Sequence, residues 1–231
     1  MTDSYVHPVK KANNHRAAKI VTAIVVVLLI AIGVIAAYLF KDDNAGLSAK
    51  PSAEALKTIL ADAVTGKESE LTATQVNELL AYKAEQQAKN SALGNVYLTV
   101  NSDNTVNAYV PVTVKGMHFG ITANMNIAFD SKQNAIAATV KSMHIGRLGV
   151  PVSWAMNLVK DKLPAGLKAD GDKLTIESSY LAFPIEGANA SLTVSDLEVK
   201  NGKFLLKTTG MTDVVKSYLA KAGDLLQGLF K

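Results

Sequence analysis

The chain has no cysteine. Disulfides, thiolate nucleophiles and a lipidated cysteine anchor are excluded together. Histidine is scarce, four in 231 residues, and His7 and His15 precede a long apolar run. His118 and His144 remain, one short of the three protein ligands of a catalytic zinc site, so no metal is expected. Charge is sparse too, 19% of residues with a net +4. Residues 1–40 carry four basic side chains against one acid, and residues 41–231 carry twenty against nineteen. A nearly neutral remainder lacks the basic face that a phosphate backbone needs, which excludes nucleic acid.

Catalytic patterns are missing as well. The fragments Ser102–Asn104 (SDN) and Lys207–Gly210 (KTTG) echo motifs of penicillin-recognising serine enzymes. That chemistry needs a serine with lysine three positions on, and no serine here has one. There is no glycine-rich phosphate loop, nucleophile elbow or H-E-x-x-H. Asp170, Asp172 and Glu177 cluster, but in a turn sequence, KADGDKLTIE, where solvation accounts for them. The expectation is a protein that is not an enzyme and uses no cofactor.

What the sequence does have is grease. Ile20 to Phe40 is uninterrupted by charge, and its 21 residues span about 31 Å as a helix, matching a hydrocarbon core of about 30 Å. A cleavable signal would be shorter and would carry small residues at both −3 and −1, whereas a cut after Ala37 leaves Ile35 at −3. Lys10, Lys11, Arg16 and Lys19 precede the run and Asp42 and Asp43 follow it. The positive side stays in the cytoplasm, so residues 1–19 read as a cytoplasmic tail and 20–40 as a transmembrane helix. Residues 41–51 then read as a polar linker, and 52–231 as an extracytoplasmic domain.

That domain alternates between two periodicities. SAEALKTILADAV from Ser52 and LTATQVNELLAYKAEQQ from Leu71 carry helical stripes, and Thr72 with Gln75 fits a capping box. Val76, Leu79, Leu80 and Lys83 define the second stripe. After Gly94 the period falls to two. In MHFGITANMNIAF every odd position from Met117 to Phe129 is apolar, the mark of a one-sided antiparallel strand. VNAYVPVTV alternates likewise, with Pro111 pointing to an edge or a bulge. AIAATVKSMHI, DKLTIESS, SYLAFPIEG, ASLTVSDLEV and GKFLLKTTG read as further strands, the fourth with a phase slip between Val194 and Leu197 that suggests a bulge. VSWAMNLVKDKL, following Pro151, and a last helix behind Thr212 complete the pattern. The fold class is α+β: a transmembrane helix, then one domain with a long-stranded, curved antiparallel sheet packed by about four helices.

The anchor, LTATQVNELLA, the strand VYLTV, and IGRLGVPVSWAMNLVKDKLP before DKLTIESS together resemble the YpmS family, over roughly Leu71 to Gly210. These are single-pass envelope proteins of Gram-positive bacteria. The resemblance implies localisation and fold. It supplies no catalytic residues, because the family has none assigned.

Two long one-faced strands and a greasy last helix form either a closed core or a groove. The groove reading makes the domain a holder of a lipid or lipid-linked envelope ligand. Phe119, Ile121, Met125, Ile127, Trp154, Met156 and Leu226 would line it, with Arg147 at its mouth. The alternative is a scaffold that positions membrane or cell-wall enzymes through its surface.

Overall fold

The computed structural model describes residues 26–38, 41–86, 96–114, 116–163, 165–185, 190–216 and 218. Helix α1 covers residues 26–38 and is exposed along almost all of its length. Then follow α2 (Glu54–Thr65), β1 (Ser69–Thr72), α3 (Ala73–Gln86), β2 (Tyr97–Val100), β3 (Val106–Val114), β4 (Met117–Asp130) and β5 (Ala135–Ile145). The chain continues through β6 (Leu148–Val150), α4 (Val152–Val159), β7 (Leu167–Asp170), β8 (Lys173–Glu177), β9 (Phe183–Pro184), β10 (Ser191–Lys200) and β11 (Lys203–Thr209). Helix α5 opens at residues 211–216. The class is α+β, with a large antiparallel sheet.

Local chemistry sets several boundaries. The Thr72 amide donates to Gln75 Oε1 at 2.9 Å while the Gln75 amide donates to Thr72 Oγ1 at 3.3 Å, the reciprocal pair of a capping box. Asn201 (φ 52°) and Gly202 (φ 75°) make a two-residue turn between β10 and β11, of the hand that suits strand twist. The slip in β10 is a bulge, with register lost between Val194 and Asp196. A second falls in β5, where Asn124 faces Ser142 but Met125 faces Val140. Two readings need correction. SYLAFPIEG is not one strand: Ser178–Leu181 is a 3₁₀ turn, with the two-residue β9 after it. Thr212 does not cap the last helix, which starts one residue earlier and receives Gly210, whose carbonyl accepts from the Asp213 and Val214 amides.

The main sheet order is β1-β11-β10-β4-β5-β8-β7, with β3 paired to β4 as well, β2 beyond β3 and β6 on β5. Strand β4 is long enough to serve two neighbourhoods. Its second half touches β10 at Ala128, and its first half, from Met117 to Met125, pairs with β3. Helices α2 and α3 pack over β1 and β11, with α3 also on β2, and α4 lies on β5 and β7. Ala55, Ile59, Leu71, Val106, Met125, Ala138, Met156, Leu192, Phe204 and Val214 are among the buried residues between these layers. The strand edge at β2 is closed by a side chain: buried Asn77 of α3 donates to the Leu98 carbonyl at 2.8 Å and accepts from its amide at 2.7 Å.

Candidate functional site

The sequence-predicted lining residues divide along β4. Met125 and Met156 are buried core residues and Ile127, partly buried, packs against the same core. A closed core holds these three. Ile121 and Phe119 continue the same face towards the β3–β4 turn but are only half-buried. They pair across the sheet with Val110 and Val112, and Ile121 also with Ile145. Trp154 points away, 51% exposed on the outer side of α4. Leu226 lies outside the described residues. The apolar face therefore reaches past the buried core to one end of the sheet.

Arg147 stands at that end, in the turn between β5 and β6, and it is occupied. Its Nε and Nη2 donate to the two Asp43 carboxylate oxygens at 2.7 and 2.6 Å, a bidentate fork. This hydrogen bond holds the Asp43 carboxyl below its ordinary range and raises Arg147. The Arg147 backbone amide donates to the Tyr38 carbonyl at 2.9 Å, in the last turn of α1. Next to Asp43, Asp42 Oδ2 accepts from the Tyr109 hydroxyl at 2.6 Å. Burial, then the neighbouring Asp42, push the Tyr109 hydroxyl up to about 12. Asn44 Nδ2 reaches Thr122 Oγ1 at 3.4 Å.

The segment read as a polar linker is fastened at residues 42–44 on the polar face of β3 and β4. Glycine makes the fit. A Cβ at Gly120 would enter the Tyr109 ring and the Asp42 carboxylate, so only a bare backbone lets both lie flat there. Sequence inspection missed this clamp because Asp43 and Arg147 are 104 positions apart and Asp42 and Tyr109 are 67 apart.

Away from the clamp, the polar face of β3 and β4 carries an amide network. Asn124 Nδ2 donates to Thr105 Oγ1 and Asn107 Oδ1, Asn107 to Asn101 Oδ1, and Thr105 Oγ1 to Asp103 Oδ1. His118 hydrogen-bonds Thr113 at 2.8 Å, and His144 pairs across the sheet with Thr122, four positions further along β4. Among the described residues no group of three or more His, Asp or Glu side chains could hold a metal. Lys207 of the KTTG fragment is paired to Asp196 and Glu68. A polar hollow of about 240 Å³ lies near the β4–β5 turn, lined by Gln133, Asn134, Lys168, Thr175, Glu177 and Ser179 among others. It is at the far end of β4 from the clamp.

No family model, curated protein or solved structure matches this chain. Among the described residues no helix is long and apolar enough to cross a membrane; α1 is the described part of the run Ile20 to Phe40.

Proposed function

We propose that this chain is a single-pass, membrane-anchored envelope protein of the YpmS type, without enzymatic activity, whose extracytoplasmic domain engages lipid at the sheet end nearest its anchor. The observation that carries this reading is the coincidence of two features. The apolar stripe Val110, Val112, Phe119, Ile121 and Ile145 outruns the buried core at one end of the sheet. At that same end the clamp fastens the end of α1. Exposed Val26 to Ile35 make α1 a helix that leaves the domain with an apolar surface on all sides, as a membrane helix does. The basic flank before Ile20 supports a cytoplasmic N-terminus.

Lipid seated there would be held by non-directional burial, worth about 0.8 kcal/mol per CH₂. The test is mass spectrometry of the protein extracted with its native lipids. Phospholipid or lipid-linked precursor retained by the wild type and reduced by Ile121→Glu is the expected result. A delipidated chain that rebinds no lipid and no hydrophobic dye would overturn the ligand reading. Protease added to intact cells that spares the C-terminal bulk would overturn the topology.

A further inference from the structure

We propose that the tip of the β3–β4 hairpin is a second membrane contact, held against the bilayer surface by the Asp43–Arg147 clamp. The inference rests on the anchored reading above. It begins with register. Strand β5 ends opposite Ile121, where Ile145 is its partner, and Gly146 donates to the Gly120 carbonyl. Residues Met117 to Gly120 pair with β3 alone. The hairpin therefore runs four residues past the end of β5 and three past the Gly146 contact, the latter about 10 Å at about 3.3 Å per residue.

The direction of the anchor follows from the clamp. Asp42 sits over Gly120 and Tyr109, and Asn44 reaches Thr122. Running forward, the chain moves from Gly120 to Thr122, away from the hairpin tip. Running backward, it heads for the tip, so α1 leaves the domain on the side to which the hairpin projects. An anchor and an overhang on one side bring the overhang to the bilayer.

Its chemistry suits that place. Met117 is 45% exposed at the tip, and its apolar face continues through Phe119, opposite Val112. His118 and Thr113 offer a hydrogen-bonded polar pair on the other face. An apolar face backed by polar groups matches the boundary between headgroups and acyl chains. The occupant is phospholipid.

Because the chain has no cysteine, Met117→Cys provides a unique site for a nitroxide label, and Lys132→Cys in the β4–β5 turn provides the opposite end. The full chain is reconstituted in vesicles of phosphatidylcholine and phosphatidylglycerol. Accessibility to oxygen, which concentrates in lipid, is compared with accessibility to a water-soluble nickel chelate. The expected result is a label at 117 that favours oxygen several-fold more than the label at 132. Asp43→Ala with Arg147→Ala brings the 117 label towards the values at 132. Failure of the chain to float with vesicles after an alkaline carbonate wash refutes the anchor itself. Flotation with equal nickel access at 117 and 132 overturns the hairpin contact and leaves the anchor standing. A 117 label shielded from both reagents overturns it too, since a protein segment or a second copy then covers the tip. A lipid-exposed label unaffected by the double variant removes the clamp from the argument.

Discussion

Lys83 offers the sharpest quantitative test of the packing. It lies on the buried stripe of α3, 5% exposed. Its Nζ donates to the Ala182 carbonyl at 2.5 Å and stands 5.0 Å from the centre of the Phe183 ring. Burial brings the ammonium down to about 8. A lysine of ordinary pKa near 10.4 in the unfolded chain then binds more protons than the folded one between about pH 8 and 10.4. Stability must rise with pH across that window, because its slope follows the protons bound by the unfolded state minus those bound by the folded. The full cost of the buried charge at neutral pH is about 3 kcal/mol, and roughly 2–3 kcal/mol of it is relieved by pH 10. Lys83→Met removes the titration and keeps most of the apolar contact. Wild type and variant would be unfolded in urea as full chains in detergent micelles, followed by circular dichroism, since exposed Trp154 reports poorly. Raising the pH from 7 to 10 should move the difference between them in favour of wild type by about 2–3 kcal/mol. Tyr109, held protonated to about 12, affects both chains alike. A difference that stays flat, or moves the other way, would show that Lys83 is not desolvated and that α3 does not seat it against Ala182 and Phe183.

Two further substitutions probe the edges of the fold. Asn77→Ala strips the Leu98 amide and carbonyl of their partners, and leaving buried groups unpaired should cost about 2–4 kcal/mol. Amide exchange read at Leu98 should accelerate accordingly, and an unchanged rate would mean that another group closes β2. Gly120→Val drives a side chain into Tyr109 and Asp42, an overpacking worth about 1–3 kcal/mol. It should also free the segment around Lys41, read as trypsin cleavage there several-fold faster than in wild type.

Much of the scaffold was legible because it is written in neighbouring residues. The capping box needs only Thr72 and Gln75, and both hydrogen bonds are there. Seven alternating apolar positions placed β4, and the lapse between Val194 and Leu197 placed the bulge in β10. Pro111 lies past Tyr109, the last β3 residue that β2 pairs, where a missing N–H costs no ladder bond. Readings failed where the signal was a composition shared by two structures. SYLAFP suits a strand as well as it suits a tight turn before Phe183, and Ser178 decides for the turn by donating to the Val194 carbonyl. Thr212 has the chemistry of a cap, but Gly210, with φ 101° and no room for a Cβ beside the Ser191 carbonyl, ends the strand first.

The site was harder to read for a physical reason. Ile121 and Met125 occupy the same face of one strand, two alternations apart, and nothing in the period distinguishes them. Their fates differ because cover comes from elsewhere in the chain. Met125 lies in the cluster with Ala55, Ile59 and Leu71 from the α2–β1 layer, whereas Ile121 lies closer to the end of the sheet and is only half-buried. Alternation states which face is apolar; the reach of the packing helices states how much of it closes. Arg147 follows the same logic. Its charge and its place at a turn were evident, yet its occupant came from Asp43, on the other side of the fold in sequence. Once that carboxylate fills the guanidinium fork, Arg147 is no longer an open receptor for a lipid phosphate. It ties Tyr38 and Asp43 to the β5–β6 turn, and on the proposed reading any headgroup contact passes to the hairpin beyond it.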